Sequence, residues 1–132
     1  MNAQVEKYNV VSFSGGRTSA YMIHKIQTMV SQGLIKNVKY LFMDTGAEHP
    51  KTYEFIRNVV KHFKIDLVCL RSVMTTDVGV GPKFKVISIE DICGDHGPFK
   101  EMMKCYSTPF IHGPMCTDRM KTAPYKKYCD ET

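Results

Sequence analysis

The stretch from Tyr8 to Ser31 restricts the fold more than any other part of the chain. Residues 8–13 are β-prone and apolar, stop at Ser14-Gly15-Gly16, and give way to Met22, Ile26, Met29 and Val30 at helical spacing. A strand, a tight glycine turn and a helix follow one another with no spare residues, with Met22 and Met29 read as core. Gly33 ends the helix, and 38–43 is a nearly continuous apolar run of the kind buried on both faces of a parallel sheet. Pro50 suits the first turn of a second helix, whose stripe is Tyr53, Ile56, Val59, Val60 and Phe63. Residues 66–70 make a third strand. The order β-α-β-α-β implies an α/β fold: a parallel twisted sheet with right-handed crossovers and helices on both faces.

At 132 residues the chain suits one domain, with the regular core in 1–71 and less regular loops and short helices in 72–132. Gly79, Gly81 and Pro82 break the pattern, so 72–87 is expected to be a mobile loop. Ser88 with Asp91 resembles a capping box for a short helix. A further short helix is expected over 98–105, and Thr117 and Pro124 mark two helical turns near the end.

The five cysteines are odd in number and irregularly spaced, which excludes a disulfide framework, and neither a signal peptide nor a membrane-spanning run is present. The expected location is cytoplasmic. A formal charge of +5, spread without blocks, suits an anionic ligand; nucleic acid is not indicated, because no basic run is interleaved with aromatics. Cys93, His96, Cys105, His112 and Cys116 share one stretch, but their spacing matches no zinc finger, so no metal site is expected there. His49 and His62 read as ordinary helix residues.

Ligands of a parallel sheet bind beyond the carboxyl ends of its strands, and the loop after the first strand is the Ser-Gly-Gly segment. Gly15 and Gly16 let the backbone approach an anion, the amides of the following helix point toward it, and Ser14, Thr18 and Ser19 add hydroxyl donors. No Walker A or GxGxxG pattern is present. Taken alone, Ser-Gly-Gly is more often a simple strand-to-helix turn than a phosphate site.

Three segments together go further. Val10-Val11-Ser12-Phe13-Ser14-Gly15-Gly16-Arg17-Thr18-Ser19 resembles the PP-loop of the PAPS reductase and ATP pyrophosphatase superfamily. Phe42-Met43-Asp44-Thr45-Gly46-Ala47-Glu48-His49-Pro50 resembles its second-strand motif, and Cys116-Thr117-Asp118-Arg119-Met120-Lys121 its Cys-Thr-x-x-x-Lys segment. The resemblance implies the HUP or Rossmann-like adenine nucleotide alpha hydrolase fold in a single PP-loop domain. It implies ATP or a related adenine nucleotide as ligand, which Mg²⁺ can accompany. The phosphates would lie on Ser14, Gly15, Gly16, Thr18 and Ser19, with Arg17 facing phosphate or solvent. Adenosine would contact the main chain of Met43 and the polar groups of Asp44 or Thr45; Asp44 is otherwise a turn residue. Lys121, helped by Arg119, would stabilise charge on the transferred group.

Two departures from the resemblance narrow the activity. Thr18 stands where adenylating members carry Asp, and the reductases' Glu-Cys-Gly-x-His-type tail is missing, Cys129 lacking that context. Paired cluster cysteines are absent too. The activities left open are AMP-forming ATP cleavage onto an unknown acceptor, and non-catalytic nucleotide binding, sequestration or partner binding; thiol-dependent PAPS reduction comes last. Compared with family members that run on past Lys121, the chain reads as short. An edge left uncovered there would suit a homodimer.

Overall fold

The computed structural model describes residues 7–74, 83–106 and 118–131. Strands β1 (Asn9–Ser12), β2 (Val38–Met43), β3 (Leu67–Val73) and β4 (Lys83–Ile87) form one sheet in that order. The first three are parallel, with Val11 beside Tyr40 and Tyr40 beside Leu67. β4 returns antiparallel along β3, with Cys69 beside Ile87 and Val73 beside Lys83. Helices α1 (Arg17–Ser31) and α2 (Pro50–Phe63) are the crossovers. After α3 (Gly97–Tyr106), a π-helical turn (Asp118–Thr122) leads into α4 (Ala123–Glu131). Pro124 has no amide to donate one turn back, so an ordinary α-helical ladder cannot run through that junction.

Side-chain alternation along the strands divides the core into two. Val11, Phe13, Tyr40, Phe42, Leu67 and Cys69 meet Ala20 and Ile23 of α1 and Tyr53, Ile56 and Val59 of α2 on one face. Leu41, Met43 and Leu70 occupy the other face, covered by Tyr125, Tyr128 and Cys129 of α4. Phe84 of β4 packs edge-on against Tyr128 with ring centroids 5.4 Å apart. The sheet is therefore sandwiched, and the α/β class read from the sequence holds. Each fully buried aliphatic or aromatic side chain of this kind contributes about 1.5–3 kcal/mol. His49 caps α2, its Nδ1 accepting from the Lys51 amide at 3.1 Å, ahead of Pro50.

Three local expectations fail. Residues 72–87 are not one loop: β3 runs on to Val73, and 83–87 is the edge strand, because Phe84 and Ile87 gain partners in the two cores that the chain's own periodicity does not announce. Ser88 does not start a helix. Its carbonyl accepts from the Asp91 amide and its hydroxyl pairs with Glu90, which makes a turn leaving the sheet. On α1 the inward face is Ala20, Ile23 and Ile26, whereas Met22, Met29 and Val30 are 39%, 38% and 41% exposed. The face that the crossover turns to the sheet carries Ala20, Ile23 and Ile26, and the methionines lie on the flank. None of the described helices is long and apolar enough to cross a membrane.

Leu41 is fully buried in the central strand, whereas Val86 on the edge strand is 60% exposed. Leu41→Ala should cost about 2–5 kcal/mol in urea unfolding, and Val86→Ala less than about 0.5 kcal/mol. Equal costs would contradict the two-core packing.

Candidate functional site

The carboxyl ends of β1 and β2 open onto a cleft of roughly 320 Å³. Its lining comprises Ser12, Phe13 and Ser14 at the end of β1, Phe42, Met43 and Glu48 at and beyond the end of β2, and Lys121, Thr122 and Tyr125 from the C-terminal segment. Ser14, Met43 and Lys121 come from the three motif segments singled out in the sequence.

The loop that leads from β1 to α1 owes its shape to Gly15. Its φ is +86°, and a Cβ there would lie 3.0 Å from Thr52 Cγ2 and 3.1 Å from Ile56 Cδ1, so both the backbone conformation and the packing of α2 demand glycine. Gly16 stands at the N-cap of α1 with no side chain capping the helix, which leaves first-turn amides for another acceptor. The Ser14 and Ser19 hydroxyls are hydrogen-bonded at 2.9 Å, and Ser19 donates to the Gly16 carbonyl at 3.0 Å. Ser14, Gly16, Arg17 and Thr18 are exposed, so the loop is open to solvent while its scaffold is packed. No acidic residue lies in the first turn of α1.

Past β2 the chain enters a buried polar network. Asp44 is inaccessible to solvent: Oδ2 accepts from Arg71 Nε at 2.8 Å, and Oδ1 accepts from the Tyr53 hydroxyl and the Gly46 amide, each at 2.9 Å. Arg71 goes on to donate from Nη1 to Asp95 at 2.9 Å and from Nη2 to the Cys93 carbonyl at 3.0 Å. Burial alone pulls the guanidinium down, but the hydrogen bonds it donates to Asp95 and Asp44 outweigh that and hold Arg71 above its ordinary range. Burial, reinforced by the bond to Asp44, likewise pushes the Tyr53 phenol up. Gly46, at φ +72°, completes the network, since a Cβ there would sit 2.9 Å from Asp95 Oδ1.

The sequence-derived residues thus fall into two groups. Ser14, Met43 and Lys121 meet at the cleft, with Gly15, Gly16, Arg17, Thr18 and Ser19 in the adjoining loop and helix start. Asp44 and Thr45 are buried beneath, Asp44 with its carboxylate held inside the protein and Thr45 Oγ1 accepting from the Ala47 amide at 3.3 Å. Arg119 shares the π-helical turn of Lys121, but its side chain lies outside the described residues, as do His112 and Cys116. Among the described residues no three His, Cys, Asp or Glu side chains gather as a metal cage. Arg71 and Asp95 were not singled out in the sequence, Glu48 stood only inside a quoted motif, and Tyr53 was read only as part of the apolar stripe of α2. One signal was available: Arg71 interrupts an otherwise apolar buried strand, and a buried arginine requires a carboxylate.

Comparison with known proteins follows this geometry. The family model described as the phosphoadenosine phosphosulfate reductase domain matches residues 8–87, from β1 through β4. The chain is 45% identical over 126 residues to the uncharacterized nin region protein ORF290 of Escherichia phage lambda, covering 93% of this chain and 43% of that protein. It is 27% identical over 128 residues to the uncharacterized protein MJ0066 of Methanocaldococcus jannaschii, covering 97% of this chain and 21% of the relative. The chain therefore spans less than half the length of these relatives. No solved structure matches it.

Removing one partner from a buried ion pair leaves an uncompensated charge, so Arg71→Met should lose about 3–5 kcal/mol in urea unfolding. Asp44→Asn combined with Arg71→Met should cost less than the sum of the single changes; strict additivity would show that the two groups do not interact.

Asp95 gives a pH signature. Hydrogen bonds from Arg71 and the Gly97 amide lower its carboxyl from 3.8 to about 2. Because the folded value lies below the unfolded one, the contribution is present above the unfolded value and is lost as pH falls through the folded value. The wild-type advantage over Asp95→Asn should be constant above about pH 5 and shrink as pH approaches about 2. An advantage that grew with acidification would contradict the pairing.

Proposed function

The chain belongs to the phosphoadenosine phosphosulfate reductase domain family, and from that premise we propose that it binds an adenine nucleotide across the carboxyl ends of β1 and β2. The observation that carries this reading is the convergence of Ser14, Met43 and Lys121 on one cleft. The phosphates rest on the Ser14–Ser19 loop and the first-turn amides of α1, where backbone dipoles favour an anion. Adenosine lies along the main chain at Met43, over a floor made apolar by Phe42 and Phe13.

The reaction such a site supports best is AMP-forming cleavage of ATP. An acceptor oxygen attacks the α-phosphorus, the bond to the bridging oxygen toward the β-phosphorus breaks, and pyrophosphate leaves. The Lys121 ammonium, with Arg119 beside it in the chain, faces the charge that develops on the phosphoryl oxygens. PAPS reduction is a weaker reading, because attack on sulfur needs a positioned thiol, and no cysteine lines the cleft among the described residues. A second reading, binding without turnover, is favoured by the absence of any carboxylate in residues 14–19.

Thermal-shift measurements against ATP, AMP and PAPS test the binding. At a hundred times its Kd a nucleotide stabilises the folded chain by about 2.7 kcal/mol. Lys121→Ala should weaken ATP roughly ten- to hundredfold, the equivalent of about 1.5–3 kcal/mol for a charged hydrogen bond. No shift with any of the three would sink the reading, and unchanged affinity in Lys121→Ala would remove Lys121 from it. Pyrophosphate release across candidate acceptors separates turnover from simple binding.

A further inference from the structure

One group in the cleft has the wrong sign for a phosphate site. Glu48 is half-buried and lines the same cavity as Ser14 and Lys121. No Lys, Arg or His nitrogen among the described residues comes within 4.0 Å of its carboxylate, Lys121 included. Its main chain is held in place: the Tyr53 hydroxyl, fixed by Asp44, lies 3.3 Å from the Glu48 amide and accepts from it. Its carbonyl is also pressed against the turn at Gly94, where a Cβ would approach to 3.4 Å. A buried network thus sets the backbone of a cleft-lining glutamate whose carboxylate has no cationic partner among the described residues.

A bare carboxylate there would repel a polyphosphate. The repulsion disappears if a divalent cation lies between the two. Magnesium is commonly bound in this way, by one or two carboxylates together with substrate phosphates and retained waters rather than by an all-protein cage. The surroundings fit that arrangement. Residues 14–19 and the whole of α1 contain no acidic side chain, so the loop cannot supply the ligand itself. Nor does the described protein offer a cage of three ligating side chains. We propose that Glu48 is the carboxylate through which the cleft takes its nucleotide as the magnesium complex, and that the protein has no magnesium site without the nucleotide. This assignment rests on the nucleotide reading of the cleft and adds to it the ionic form of the ligand.

Calorimetry with a non-hydrolysable ATP analogue, in EDTA and in millimolar Mg²⁺, tests the assignment, with Mn²⁺ water-proton relaxation as a second readout. Wild-type protein should bind the analogue at least about tenfold more tightly with Mg²⁺, and Mn²⁺ should show enhanced relaxation only when nucleotide is present. In Glu48→Gln the ratio should fall to about one, with metal-free affinity retained or improved because a like charge is gone. Glu48→Asp should restore part of the ratio, which a merely structural role would not do. Wild-type binding that ignores Mg²⁺, or a Glu48→Gln ratio equal to wild type, would overturn the assignment while leaving the nucleotide site intact. Equal weakening of Glu48→Gln with and without Mg²⁺ would also overturn it, by making Glu48 an acceptor for a ligand hydroxyl or amine. No binding in either condition would overturn the nucleotide reading and this inference with it.

Discussion

The ion pair between Asp44 and Arg71 is the constraint on which the upper end of the sheet depends. A carboxylate withdrawn wholly from water is tolerated only when both its oxygens find donors, and Asp44 finds three, on Arg71, Tyr53 and Gly46. Those donors lie on β3, on α2 and in the turn after β2. Through Arg71 the same network reaches Asp95 and the Cys93 carbonyl, so the loop before α3 is tied to the sheet as well. Apolar packing would hold these elements together without fixing their angle, whereas directional hydrogen bonds fix both.

This anchoring has a consequence for the cleft. The Ser14–Ser19 side is shaped by steric demand, through Gly15 packed against α2. The Glu48 side is shaped by polar contacts, through Tyr53, whose hydroxyl donates to Asp44 and accepts from the Glu48 amide. α2 serves both sides, meeting Gly15 through Thr52 and Ile56 and the polar network through Tyr53. Lys121 arrives independently, on a π-helical turn seated over the face that Leu41, Met43 and Leu70 present to α4. The cleft is therefore bounded by two sides that share α2 and by a third, carrying Lys121, that reaches it from the C-terminal segment.

Much of the fold was legible because periodicity and burial agree where an element is amphipathic. Tyr53, Ile56 and Val59 repeat at helical spacing and are the residues α2 buries. The same reasoning misplaced α1, where methionines and a valine at helical spacing face solvent and Ala20 and Ile23 face the sheet. Hydrophobicity alone could not rank a small alanine above a large methionine, since the choice depends on which face of the helix the crossover turns to the sheet. β4 was illegible for a related reason. Its residues alternate weakly, and what makes them a strand is the edge of β3, which exists only once the sheet has formed.

By itself the sequence determined the succession of strands and crossover helices, the glycine turn after β1, and the three segments whose resemblance names the family. These are local properties, written in spacing and residue type. Only the tertiary structure decided that Ser14, Met43 and Lys121 share one cleft, that Asp44 is spent within the protein, and that Glu48 lines that cleft with no cationic partner among the described residues. Each depends on distances between residues far apart in the chain. Those distances are set by the packing of the sheet and the geometry of a buried ion pair, which no pattern along the chain encodes.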